Sequence, residues 1–309
     1  MNIVFHIGLH KTATTWFQKV FVPSQQQLLP VIDSRQPWND RIMRYLVKTE
    51  SSEFNPYTLR QLVLSRSNVD KHAGRILLVS AERLSGHPAS GGVDRYCIAS
   101  RIHDSFPEAK IFCSLRNQME IIPSMYITMV NEGYCYDICT LLEDRNWKTF
   151  GPSPRFYEYH ILVNHYHELF GKENCLFLTY EELQHDPATY MQKLGFFLGL
   201  IITPEDVNKA MMKVHVSRST NLRLCCFLNR FRKTEYNPKP VFRFPAWMFR
   251  VARKLQLPGL GRIGVVSLEE KCRINRIFLE SNLCLRTLLD DSSAEYVSKY
   301  YIRDSSVNS

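Results

Sequence analysis

The chain has 309 residues, 45% of them hydrophobic and 22% charged, with Gly and Pro at ordinary levels. That is enough to bury one large core or two modest ones, and it excludes disordered, collagen-like and coiled-coil chains. The formal net charge of +9 suits an anionic partner (nucleotide, acidic glycan, nucleic acid or membrane surface) without choosing among them.

The stretch from Met1 to Gly8 lacks a basic segment and a small-residue cleavage site, so it does not read as a signal peptide. No apolar run reaches the roughly 18–20 residues that a membrane-crossing helix needs. The nine cysteines include no CxxC pair, and their spacing supplies neither a zinc site nor a disulfide framework. Cys113 and Cys175 fall inside apolar runs where reduced, buried thiols are the default. A cytoplasmic, reducing setting is the expectation.

In chain order, Ile3 to Ile7 is a short apolar run, followed by a Gly- and Thr-containing turn and a helical pattern from Trp16 to Val22. Further apolar runs cover Arg75–Ser80, Lys110–Leu115 and Cys175–Tyr180. These runs are continuous, not alternating, which indicates strands covered on both faces. The stretches 118–131, 153–171 and 187–200 have apolar positions compatible with helices. The pattern predicts one α/β domain over 1–309, a three-layer sandwich around a central parallel sheet. The segment 215–262 differs, mixing Arg and Lys with aromatics and prolines, and suits a lid, an acceptor-side region or a membrane-facing surface. The last segment, about 268–303, begins as a helix.

Gly8-Leu9-His10-Lys11-Thr12-Ala13-Thr14-Thr15-Trp16 follows the first strand and opens a helix. Amides at a helix N-terminus lack intrahelical acceptors, and the helix dipole favours an anion there. Lys11 adds a positive charge, and Thr12, Thr14 and Thr15 add hydroxyl donors. The pattern is not the Walker loop, in which a second Gly directly precedes Lys. After the third apolar run, Arg116 is followed eight positions later by Ser124, an arrangement able to grip a second phosphate. The fourth run leads into Thr179-Tyr180-Glu181-Glu182-Leu183 and then Phe197-Leu198-Gly199, and later comes His215-Val216-Ser217-Arg218-Ser219.

In order and spacing these segments resemble the family of sulfotransferases that use 3′-phosphoadenosine 5′-phosphosulfate (PAPS), and among them the soluble bacterial type. The resemblance implies a P-loop-like fold and transfer of a sulfuryl group to a hydroxyl or amine, leaving adenosine 3′,5′-bisphosphate (PAP). It implies 5′-phosphosulfate binding by Gly8, His10, Lys11, Thr12, Ala13, Thr14, Thr15 and Trp16. It assigns the 3′-phosphate to Arg116 and Ser124, completed by Ser217 and Arg218, and sets Tyr180 against the adenine. Ala13 stands where the family has Gly, which predicts ordinary backbone angles there and not left-handed ones. Pro123 just before Ser124 predicts a shifted or strained helix start.

The resemblance implies that Lys11 neutralises the leaving group and that no metal takes part. After the second core strand, Ser80-Ala81-Glu82-Arg83 resembles members with a Glu base and assigns Glu82, with His87 and His10 as alternatives. The expected partner is a small-molecule or glycan acceptor and not a nucleic acid, with peripheral membrane contact left open. Two other readings compete: a nucleotide-dependent P-loop kinase, which needs a Mg²⁺ ligand, and a non-catalytic anion-binding module.

Overall fold

The computed structural model describes residues 2–32, 39–67, 74–143, 151–211, 222–234, 236–240, 247 and 267–302. Five strands form one sheet: β1 (Ile3–His6), β2 (Leu28–Pro30), β3 (Ile76–Ser80), β4 (Lys110–Leu115) and β5 (Cys175–Thr179). Every pairing is parallel and the order is β2-β3-β1-β4-β5, so β1 lies at the centre.

The continuous apolar runs are explained by which way alternate residues point. Ile3, Phe5, Leu77, Val79, Ile111 and Cys113 belong to one buried cluster; Val4, Ile76, Leu78 and Phe112 belong to the other. Both sheet faces are therefore covered, giving the three layers that the sequence predicts. Strand β2 escapes the sequence reading because it has only three residues and ends in Pro30. An edge strand tolerates a proline, which removes a ladder donor.

The helices are α1 (Thr14–Trp16), α2 (Arg41–Lys48), α3 (Pro56–Ser67), α4 (Arg95–Ser105), α5 (Gln118–Glu132) and α6 (Tyr159–Phe170). Next come α7 (Tyr180–His185), α8 (Pro187–Leu198), α9 (Pro204–Met211), α10 (Leu222–Asn229), α11 (Leu268–Leu288) and α12 (Asp291–Tyr300). Helix α1 runs on through a π-helical turn, Phe17–Phe21, and a last turn, Val22–Ser24.

Pro123 does not shift the start of α5. Asn117 caps the helix by accepting from the Met119 amide at 2.8 Å, and Pro123 sits inside it. Its lost amide bond is one of a helix's many, and the buried face of Ile121, Ile122, Met125 and Tyr126 holds the rest. The predicted helix 153–171 is split into a 3₁₀ turn, Pro154–Tyr157, and α6. Within 215–262, α10 is tied to the end of α5: Asn229 Nδ2 donates to the carbonyls of Val130 (2.7 Å) and Tyr134 (3.0 Å). All nine thiols are free. Among the described residues no helix is long and apolar enough to cross a membrane.

Candidate active site

The turn after β1 is shaped by packing before any ligand enters. Gly8 lies against His6 and Thr14; a Cβ there would stand 2.8 Å from His6 Nε2 and 2.8 Å from Thr14 Oγ1. Only hydrogen fits, so the chain can pass close over the strand end. Beneath it a buried polar group is closed: His6 Nδ1 meets Ser80 Oγ at 2.8 Å, and Gln18 Nε2 donates to Ser80 Oγ at 3.0 Å. Burial holds the His6 imidazole neutral, its pKa lowered to about 3.

The turn itself is bent by two non-glycine residues in the left-handed region, Lys11 (φ 65°) and Ala13 (φ 64°). This corrects the expectation of ordinary angles at Ala13. The left-handed conformation comes from the path of the loop, and the alanine bears the steric cost that a glycine would avoid. Left-handed residues alternating with others turn successive amides toward one side and make an anion-binding concavity. Thr12 and Thr14 are buried and tie the turn: Thr12 Oγ1 donates to the Leu9 carbonyl at 2.7 Å, and Thr14 Oγ1 approaches the same carbonyl at 3.2 Å. Lys11 and Thr15 are exposed. Trp16 is half-buried, its ring 6.1 Å from Tyr190 and 5.9 Å from Phe21, in the cluster under the sheet.

Glu82 opens the 3₁₀ turn Glu82–Ser85 after β3, and Ser85 Oγ ties that turn to the Gly8 carbonyl at 3.2 Å. Burial raises the Glu82 pKa, opposed by the Lys11 charge and a hydrogen bond from Thr14. The adjacent Arg83 is engaged by Asp94, with Nη1 to Oδ1 at 3.1 Å. His10 Nε2 lies 3.7 Å from Glu82 Oε2. This is not an ion pair: burial foremost, then the charges of His87, Lys11 and Arg83, lowers the His10 pKa to about 3, so the ring is neutral. The His87 ring stands edge-on to it, centroids 5.4 Å apart. Glu82, Lys11, Thr14, His10 and His87 are thus one cluster.

Arg116, at the end of β4, joins this cluster to the next strand. Its Nη1 donates to the Lys11 carbonyl at 3.0 Å, and its guanidinium carbon lies 4.7 Å from the centroid of the Tyr180 ring. Its Nε is buried without a partner. An unpaired buried N–H of a cation is costly, and an anion beside it would satisfy it. Glu120 lies 3.9 Å from Nη2, an exposed helix-surface pairing of little strength. Ser124 is half-buried on α5, two turns into the helix that Arg116 precedes. Ser217 and Arg218 lie outside the described residues, as do the greater part of 215–262 and its basic–aromatic stretch.

The sequence reading missed the groups that hold these residues in place: Ser85, Gln18, Tyr159 and Glu181. Glu181 lies within the Thr179–Leu183 stretch, but its contacts, like those of Ser85, Gln18 and Tyr159, form only once distant segments meet. Among the described residues one group has metal-ligand spacing, Asp137, Cys139 and Glu270, with donor atoms within 4.8 Å of one another. It lies on the segment after α5 and the first turn of α11.

Residues 99–224 match the family model described as "Sulfotransferase domain". The match is confined to that segment of the chain. It contains Arg116, Ser124, Tyr180, Ser217 and Arg218, but neither the Gly8–Trp16 turn nor Glu82. A curated relative, Cytosolic sulfotransferase 14 of Arabidopsis thaliana, is 31% identical over 139 residues, 42% of this chain. The chain spans 37% of that relative's length. Among solved structures, a sulfotransferase from Alicyclobacillus acidocaldarius aligns at 19% identity with a TM-score of 0.46, covering 67% of this chain and 88% of that one. Mouse sulfotransferase SULT7A1, solved with PAP, aligns at 13% identity with a TM-score of 0.44, covering 97% of this chain and 88% of that one.

Proposed function

We propose that the protein is a PAPS-dependent sulfotransferase acting on a hydroxyl or amine acceptor, a small molecule or a glycan. The observation that carries this is Arg116: one side chain touches the Lys11 carbonyl of the turn after β1, stacks on Tyr180 and keeps a buried, unpartnered Nε. A nucleotide with phosphates at both 5′ and 3′ positions has anions to offer both the turn and Arg116; an ordinary mononucleotide has one. Gly8, His10, Lys11, Thr12, Ala13, Thr14, Thr15 and Trp16 are the proposed 5′ side, and Arg116, Ser124, Tyr180, Ser217 and Arg218 the proposed 3′ and adenine side. The whole chain is proposed to work as one unit, with 215–262 on the acceptor side.

PAPS, when bound, supplies a sulfuryl group already activated by its phosphate leaving group. The chain's own residues then have two tasks. Lys11 places positive charge beside the turn, where negative charge accumulates as the donor's phosphate departs. Glu82 takes the proton of the acceptor hydroxyl as its oxygen attacks sulfur, so the proton ends on the carboxylate and the products are a sulfate ester and PAP. The raised pKa of Glu82 suits it to this role, since a carboxylate protonated nearer the working pH is the stronger base.

The test is calorimetric titration with PAP, 5′-AMP and ATP, repeated on Arg116→Ala. Tight PAP binding, weak 5′-AMP binding and loss of that preference in the variant are expected, by a factor of about 10–150 for a charge-assisted contact. No preference for PAP over 5′-AMP in the unaltered protein overturns the reading, and a Mg²⁺-dependent preference for ATP replaces it with the kinase.

A further inference from the structure

The turn that carries Arg116 is held from behind by buried polar groups whose hydrogen bonds reach its backbone and the side chains of Asn117 and Gln118. The Asn117 amide, one residue on, donates to Glu181 Oε1 at 3.0 Å. The other oxygen of the same carboxylate, Oε2, accepts from the Tyr301 hydroxyl at 3.0 Å. Tyr301 directly follows α12, so the carboxylate bridges the ends of β4 and β5 to the C-terminal helix. Asn117 Nδ2 donates to the Tyr300 carbonyl, and the Arg116 carbonyl itself accepts from Tyr159 Oη at 2.8 Å. Gln118 closes the same turn: its Nε2 donates to Asn282 Oδ1 at 2.9 Å, while Asn282 Nδ2 reaches the Tyr301 carbonyl at 3.2 Å.

We infer that Glu181 and Tyr301 are positioning residues for discrimination of the nucleotide 3′-phosphate, acting through the backbone of the Arg116–Asn117 turn. This rests on the sulfotransferase reading, in which Arg116 grips that phosphate. Glu181 is 5% exposed and Tyr301 1% exposed, so neither meets ligand or solvent to any extent. A buried carboxylate is retained at a cost unless its oxygens are matched, and here each oxygen has a donor. The packing that a simple structural role would need is already provided by the Tyr301 ring in the core. What the hydroxyl and carboxylate add is direction. They fix the amide next to Arg116, and a guanidinium that must reach both the Lys11 carbonyl and a phosphate tolerates little rotation of its own backbone. The same geometry ties the C-terminal helix to the proposed nucleotide site through Tyr300 and Tyr301.

The test uses the full chain and three variants, Tyr301→Phe, Glu181→Gln and Glu181→Ala, each titrated with PAP and 5′-AMP and melted thermally. Tyr301→Phe keeps the ring and removes one bond; PAP affinity should fall by about fivefold to thirtyfold while 5′-AMP affinity changes by less than about threefold. Glu181→Gln still accepts from the Asn117 amide through its carbonyl oxygen and should fall between wild type and Glu181→Ala. If PAP and 5′-AMP affinities drop together, or neither changes in a variant that melts as a folded protein, the positioning role is overturned. If Glu181→Ala does not fold, Tyr301→Phe alone decides, because its ring still fills the core. Should the unaltered protein show no preference for PAP over 5′-AMP, the sulfotransferase reading fails; a preserved wild-type preference that survives Tyr301→Phe sinks this inference alone.

Discussion

Replacing Glu82 by Gln keeps the shape of the side chain and removes its ability to accept a proton. General-base assistance contributes a factor of about 10²–10⁴ to rate, or about 3–5 kcal/mol of barrier. The neighbours decide where in that range the loss falls. His10 is the closest substitute, but burial and three nearby basic groups lower its pKa to about 3, so it is a weaker base than the carboxylate it would replace. His87 Nδ1 already accepts from the Ala89 amide at 3.2 Å, which in the neutral ring leaves the proton on its other nitrogen. Neither imidazole is positioned to take over, and the loss should sit in the upper half of the range, about 10³–10⁴. The assay is PAP formation from PAPS with the best acceptor found in a panel of phenols, alcohols, amines and sugars, alongside calorimetry with PAP. Turnover should collapse while PAP affinity stays within about threefold of wild type. A loss of less than about tenfold would refute the assignment of the base, and a parallel loss of PAP affinity would show that Glu82 shapes the cradle instead.

The same carboxylate sets a pH dependence. Its folded-state pKa is raised, so the folded protein holds the proton to higher pH than the unfolded chain and stability falls as pH rises through the folded value. Glu82→Gln should therefore be more stable than wild type at pH 7, with the gap closing below the unfolded value near 4.3, as read by urea melts across pH. The acceptor-dependent rate should fall as the pH is lowered through the raised pKa, and Glu82→Gln should lose that limb of the profile. Ala13→Gly relieves a left-handed alanine, worth about 1–2 kcal/mol, against an entropic penalty of about 0.4–1 kcal/mol in the unfolded chain. A net gain of about 0.5–1 kcal/mol should raise the melting temperature by about 1–2 °C in a chain of this length, and a drop would mean the turn holds Ala13 without strain. Gly8→Ala forces a methyl to 2.8 Å from His6 and Thr14 and should cost about 1–3 kcal/mol, with PAP binding lost before the fold, as titration and melting together would reveal.

The sheet was legible because four of its strands are apolar on both faces. Phe5 and Val4 face opposite clusters, as do Val79 and Leu78, and the polar residues within the runs, His6 and Ser114, are themselves buried. Strand β2 was not legible, since three residues ending in proline carry no periodic signal. The turn after β1 could be recognised from Gly8, Lys11 and the threonines, yet the backbone at Ala13 was read wrongly. A residue's own preference does not decide the backbone there, because the loop imposes the conformation on the residue. Burial, hydrogen bonding and tertiary closure outweigh a local preference worth about 1–2 kcal/mol.

The supporting groups were illegible for a different reason. Glu181 looks like part of a helix start and Tyr301 like a residue in a fading tail; what joins them is the packing of α12 against β5 and α7, while the pairing of β5 with β4 sets Glu181 beside Asn117. In a parallel sheet all strand ends of one kind lie on one edge, so the residues that leave those ends meet, whatever their distance in sequence. Glu82, Arg116 and Tyr180 each follow a strand, as Gly8 does, and the edge gathers them. A motif search finds the residues facing the ligand because the ligand constrains their spacing along one loop. The groups behind them answer to the fold, and a bond such as Tyr301 to Glu181, spanning 120 positions, has no sequence spacing to find. That is also why the Arg116–Asn117 turn, and not the Gly8–Thr14 turn, is where a substitution far from the site should be felt. The first is held by partners from α6, α7, α11 and the residue after α12, the second by its own threonines together with Ser85 and Arg116.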